Sequence, residues 1–277
     1  MKFKTIFIIF NIIIVFSFLV IFLMPLFFLG GIQFGDFFRG NWYIVIIFAA
    51  TLLVFNAYFA YNWRLFRLLE NEDWKGLIDF LERQVYDKNR LTRAYVRLLI
   101  NTYLVTSDPE AILRLKNRVL NLKPRLMRRF ALPLGLPYLL LGRPAEAESY
   151  FGKYLEEKGV ADRDWIRWNY GFCLMQLKQW KGAREEFQAV VDATRKPILT
   201  LLSFYLMESV PDLGPEEERR LDAEKARLAD RYDRRSWNRY VERRRGDLNV
   251  LVFSKLIEEA TDWLFGAAAG RVEETVH

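Results

Sequence analysis

Apolar positions are continuous at the start of the chain and periodic in the remainder. Thr5 to Leu29 is a run of 25 residues without a charge, and Trp42 to Tyr61 is a second uncharged run. At about 1.5 Å of helical rise per residue, the first exceeds and the second matches a hydrocarbon core roughly 30 Å thick. Two transmembrane helices are therefore predicted, at about 5–29 and 42–61. Pro25 falls in the last turns of the first, where it kinks a helix rather than forbidding it. Trp42, Tyr43, Tyr58, Tyr61 and Trp63 stand at the two ends of the second, at positions suited to the membrane interface. Gly30, Gly31, Gly35 and Gly40 predict a short connection from Gly30 to Asn41, giving a helical hairpin. A cleaved signal sequence is disfavoured, because the run is longer than an h-region of about 7 to 15 residues and no small-x-small site closes it.

Beyond Trp63 and Arg64 the pattern changes to charged, amphipathic helices. The stretch DWKGLIDFLERQV from Asp73 places Leu77 and Leu81 on one face. Two later segments repeat each other: GLPYLLLGRPAEAESYF from Gly135 and GFCLMQLKQWKGAREEF from Gly171, at an offset of 36. Gly135 matches Gly171, Tyr138 matches Leu174, Gly142 matches Lys178, Ala147 matches Ala183 and Phe151 matches Phe187. A weaker unit with Leu99, Tyr103, Ile112 and Pro124 precedes them, with Lys116 where an aromatic residue is expected. The spacings from Leu77 to Ile112, Ala147 and Ala183 are 35, 35 and 36.

These positions resemble the tetratricopeptide repeat family, whose units of about 34 residues pair two antiparallel helices with small and aromatic residues at fixed places. Leu134, Gly135, Tyr138, Gly142, Ala147 and Phe151 fill the family's places in one unit, and Gly171, Ala183 and Phe187 in the next, with Pro197 two residues late. The resemblance covers roughly residues 74 to 197. It implies an α-solenoid in which small residues let the helices of a hairpin approach and the aromatic residues fill the space between hairpins. The fold expected is all-α: a transmembrane hairpin (1–63), tetratricopeptide-like repeats (64–200) and a C-terminal helical region (201–277) that caps the solenoid. In that last region Ile198 to Val210 reads as a buried helix. A helix from about Pro215 to Arg245 follows, and then a last one on which Leu248, Val252, Leu256, Ala260 and Trp263 line the apolar face until Gly266.

Most chemistry is disfavoured. The only histidine is His277, the last residue, and the only cysteine is Cys173, so neither a Ser-His-Asp or Cys-His arrangement nor an ordinary zinc or iron site is available. Phosphate-binding glycine loops are not recognisable in the sequence. Asp162 and Asp164 read as helix caps rather than an acid-base pair. An enzyme is not expected, nor any cofactor.

Binding is the class that is left. Resemblance to the repeat family implies a groove lined by Arg97, Asn101, Arg129, Leu132, Leu136, Trp165, Trp168, Phe172 and Met175. The last four fall at helical spacings and form an aromatic stripe, which is either a docking face for a protein partner or packing covered by a neighbouring element such as the terminal helix.

Charge supplies a second reading. After residue 63 the chain keeps 38 of 41 basic and 33 of 34 acidic residues, with arginines dense at Arg125, Arg128 and Arg129 and at Arg234, Arg235, Arg239, Arg243, Arg244 and Arg245. A basic face near an anionic leaflet gains about 1 kcal/mol per cation, so anionic lipid headgroups are candidate ligands of that last cluster. Nucleic acid is disfavoured, since Asp233 and Glu242 interrupt the cluster and no reader motif accompanies it.

Lys2, Lys4, Arg64 and Arg67 flank the apolar runs, and only Arg39 lies between them. Both termini are thus expected on the cytoplasmic side of the inner, or cytoplasmic, membrane. Asn11 and Asn56 lie within the spans, either bonded to each other or as tolerated, partly snorkelled amides. The function expected is a membrane-anchored scaffold or adaptor for a protein partner. The alternatives are a membrane-surface organiser that binds anionic lipid or nucleic acid through the arginine cluster, and an accessory subunit of a membrane transport assembly.

Overall fold

The computed structural model describes residues 3–29, 31–211 and 214–273. Among the described residues the regular structure is helical throughout, with no strand. The chain divides into two compact units, residues 1–106 and 107–277.

The first unit begins with α1 (Phe3–Leu29) and α2 (Gly31–Glu70). These are long and apolar enough to cross a membrane, and their apolar side chains face outward, with Ile21 70% and Leu53 72% exposed. Their shared seam is aromatic: Phe7 stacks on Phe59 at 4.3 Å and Phe18 on Phe48 at 3.8 Å. Asn56 Nδ2 donates to Asn11 Oδ1 at 2.9 Å across the seam, so the two amides bond to each other. The expected connection to Asn41 is not a loop. From Gly31 onward it is helix, and Gly30 lies outside the described residues. Helices α3 (Trp74–Glu82) and α4 (Arg93–Val105) complete the unit, joined by a π-turn at Arg83–Asp87. Leu77 and Leu81 are fully buried, as their spacing predicts. Asp73 caps α3 through Gly76 N–H at 2.9 Å, and the Tyr103 hydroxyl donates to Glu82 Oε1 at 2.7 Å.

In the second unit, α5 (Pro109–Leu122), α6 (Met127–Leu140), α7 (Pro144–Glu156), α8 (Arg163–Gln176), α9 (Trp180–Ala193) and α10 (Pro197–Glu208) each pack on the next in solenoid fashion. The small residues predicted at the crossings are needed there. A Cβ on Gly135 would lie 2.6 Å from the Tyr150 and Phe151 rings, and one on Gly171 3.1 Å from the Phe187 ring. Ala147, Phe151, Ala183 and Phe187 are fully buried.

The repeat is also written in the backbone. Glu72, Ser107, Gly142 and Lys178, at spacings of 35, 35 and 36, all have positive φ (51°, 54°, 67° and 60°). At three of these turns the same pair of bonds closes the preceding helix: Asp73 N–H to Leu68 C=O with Glu72 to Leu69, Arg143 to Tyr138 with Gly142 to Leu139, and Gln179 to Leu174 with Lys178 to Met175. This is the Schellman arrangement, which satisfies orphan carbonyls at a helix end and requires a left-handed residue.

The C-terminal region departs from the simple expectation. The helix predicted from Pro215 to Arg245 is two, α11 (Pro215–Arg231) and α12 (Arg234–Glu242), because the Asp233 carboxylate accepts from Ser236 N–H at 2.8 Å and starts a new helix. The last helix is also two, α13 (Leu248–Val252) and α14 (Ser254–Glu273). The break at Phe253 turns the apolar face, so Val250, Phe253, Ile257, Ala260 and Leu264 are buried, while Leu248, Val252, Leu256 and Trp263 are only half-buried. Helices α11 and α14 pack on α10.

Candidate functional site

Along α8 the aromatic stripe is present but closed. Trp165 is buried, Trp168 has no exposed surface, and Phe172 and Met175 are half-buried. Phe253 lies over the first three, with ring centroids 6.4 Å from Trp165, 4.8 Å from Trp168 and 5.7 Å from Phe172. The reading of this stripe as an open docking face is therefore corrected: the chain's own C-terminal segment occupies it. Leu132 and Leu136 are likewise core residues of α6, whereas Arg97, Asn101 and Arg129 are exposed.

An open groove lies elsewhere, across α5, α6 and α7. In α5, Ala111, Ile112, Leu115 and Val119 turn inward, leaving Lys116 and Leu120, one helical turn apart, on a flank. Tyr138 and Met127 of α6 and Tyr150, Lys153 and Tyr154 of α7 complete a cavity of about 530 Å³. Leu120 stands at its rim, 42% exposed. The Lys116 ammonium donates to the Tyr138 hydroxyl and sits 4.8 Å from the Tyr138 ring centroid and 5.9 Å from that of Tyr150. Among the described residues it has no ion pair. The carboxylate of Glu146, which also borders the groove, is 3.9 Å from Arg143.

Tyr150 adds no negative charge to this groove. Burial pushes the Tyr150 phenol well above its ordinary value, with Tyr154 and Tyr138 adding to the shift, so it stays neutral and donates to Ala131 C=O at 3.0 Å. An ammonium with three donors, one spent on a phenol and the rest facing aromatic walls, favours an anionic acceptor. The sequence carried one sign of this site: Lys116 occupies the place where the repeat pattern expects an aromatic residue.

The arginine cluster is exposed on α12 and the turns after it. Arg234 pairs with Asp262 at 2.6 Å, Arg245 with Glu242 at 2.8 Å and Arg244 with Asp247 at 3.7 Å. Asp162 and Asp164 act as tethers more than caps: both face Lys196, at 4.0 and 3.7 Å, and Asp162 at the head of α8 makes no capping bond through its side chain.

These features define an all-α protein in which two helices of membrane-crossing length and composition precede solenoid-like stacked helices. Residues 111–266 match the family described as "Uncharacterised Treponema protein", and the chain belongs to that family. It is 30% identical over 235 residues to an "Uncharacterized protein" of Treponema pallidum (strain Nichols), an alignment that covers 79% of this chain and 74% of the relative. The family segment lies within the second unit, from α5 to α14, and so contains the Lys116 groove and the arginine helix. No solved structure matches the chain.

Proposed function

We propose that this chain is a membrane-anchored adaptor of tetratricopeptide-like build, whose helical repeats hold an acidic segment of a protein partner. Its apolar helices cross the cytoplasmic membrane twice and leave both termini in the cytoplasm. Support for the anchor is the outward-facing apolar surface of α1 and α2, which water alone does not accommodate, together with the basic residues that flank it. The recurring left-handed turn at 35, 35 and 36 residues supports the repeat reading.

The observation that carries partner binding is the Lys116 groove: a half-buried cation with no ion pair among the described residues, in an aromatic cavity whose rim presents Leu120. A carboxylate side chain next to an apolar residue satisfies both.

A photo-crosslinking residue in place of Leu120, in the full-length protein in its native membranes, tests the reading. A discrete protein adduct is expected at Leu120, lost when Lys116→Gln is added and kept with Lys116→Arg. A comparable crosslinker at exposed Leu140 serves as the control position. Adducts equal at both positions, or indifferent to Lys116→Gln, would sink the reading.

A further inference from the structure

The six arginines between residues 234 and 245 are not equivalent. Three are held by the carboxylates of Asp262, Glu242 and Asp247. The other three, Arg235, Arg239 and Arg243, are exposed and have no ion pair among the described residues. Their spacing of four puts them in one row along α12 and its first residue beyond, spanning about 12 Å at the helical rise. The nearby Asp233 carboxylate caps Ser236 N–H and also feels the charge of Arg239, whose Nε donates to Arg235 C=O at 3.4 Å.

This row cannot rotate away. On the opposite face of α12 Trp237 is fully buried, and its Nε1–H donates to Thr261 Oγ1 of α14 at 2.9 Å. The fold thus presents three guanidinium groups, without an ion pair among the described residues, on one exposed face of the helix, and each keeps terminal N–H groups that can bond phosphate oxygens.

We infer that the Arg235–Arg239–Arg243 row is a docking surface for the phosphate headgroups of anionic lipids. This rests on the membrane-anchored reading, because the apolar helices of the same chain hold the row at high effective concentration near a bilayer. A nucleic acid offers the same phosphate chemistry but has to be recruited from solution. The consequence is a domain laid against the membrane by one helix face, under the control of lipid composition.

The test uses the full chain in nanodiscs of phosphatidylcholine alone or mixed with phosphatidylglycerol. Phenylglyoxal modification of each arginine is followed by peptide mass spectrometry. Arg235, Arg239 and Arg243 should react roughly fivefold more slowly in the anionic discs at low salt, with the difference gone at high salt. Arg234, Arg244 and Arg245 should show a smaller difference. Equal rates for the row in both lipids would overturn the inference while leaving the anchor intact. Slowing only when a DNA duplex is added to neutral discs would reassign the row to nucleic acid and overturn it too. A chain that fails to enter either disc would overturn the anchor reading itself, and this one with it.

Discussion

Phe253 meets the Trp168 ring edge-on at 4.8 Å, in the one-residue break between α13 and α14. Of the two readings the sequence leaves open for the aromatic stripe, that contact matches the one in which a neighbouring C-terminal element covers it. Trp168 also stacks on Phe172 at 5.4 Å and touches Phe187 at 6.2 Å, so Phe253 joins the C-terminal segment to the core of the last repeat.

Phe253→Ala should therefore act as a core truncation. A loss of about 3–5 kcal/mol is expected in denaturant unfolding, with the upper end favoured by the aromatic pairs it removes. Tryptophan emission should also move to longer wavelength as water reaches Trp165 and Trp168. An unchanged midpoint and spectrum would show that Phe253 does not seal the stripe in solution.

The repeated left-handed turn gives a second prediction, in two directions. Gly142 has a φ of 67° and open space around its Cβ position, so Gly142→Ala changes little except backbone strain and should cost about 1 kcal/mol. Lys178 holds the equivalent place with a φ of 60° and a side chain that pays that strain already. Lys178→Gly should stabilise by a similar amount, about 1 kcal/mol, less part of the glycine entropy cost. Thermal midpoints moving in opposite directions would verify the shared turn; both falling would mean that Lys178 earns its place through another contact.

How far the sequence reveals this architecture depends on how local each determinant is. Leu77 with Leu81 and Ala147 with Phe151 sit where helical periodicity puts them, because burying one stripe of an amphipathic helix is decided within a few turns. The small residues at Gly135 and Gly171 are legible through the repeat spacing alone. The break at Tyr232 and Asp233 was hidden, since it contains neither proline nor glycine and depends on Asp233 acting as a cap. Phe253 was hidden for a different reason: its partners Trp165 and Trp168 are more than 80 residues earlier in the chain. The Lys116 groove draws its walls from three helices, so only the anomalous lysine could have pointed to it. Of the six arginines nominated from sequence, the three without ion pairs emerge only once Asp262, Glu242 and Asp247 are placed.

Cys173 yields a prediction with a defined pH window. Burial, with Glu148 adding to it, raises the thiol from its ordinary 9.0 to about 12. At pH 8 the native thiol then carries far less thiolate than a free one, and with no exposed surface it should react with iodoacetamide at least about tenfold more slowly in the native than in the unfolded protein. The sign for stability follows from the same shift. With the native value raised, the contribution is fully present below pH 9.0 and declines as pH rises from there towards 12, because the unfolded chain loses the proton first. Cys173→Ala should flatten that part of the stability-pH curve. Fast native alkylation at pH 8 would show that the α8–α9 packing opens readily.

The amide pair in the apolar helices permits a direct test of the hairpin. Asn56 Nδ2 serves both Asn11 Oδ1 at 2.9 Å and its own helix carbonyl at Leu52, while Asn11 Nδ2 bonds Phe7 C=O at 2.8 Å. Either amide alone therefore keeps a bond within its helix, and only the cross-helix bond depends on both. A double-mutant cycle with Asn11→Leu and Asn56→Leu, measured on the hairpin's association in lipid, should give a coupling of about 0.6 kcal/mol and not above roughly 1.7. Each single change should cost little by itself, because leucine fits the hydrocarbon and the partner amide retains a backbone acceptor. A coupling of zero would mean that the helices meet through Phe7–Phe59 and Phe18–Phe48 packing while the amides face elsewhere. A nonzero coupling would fix the register of α1 against α2 at the level of single residues.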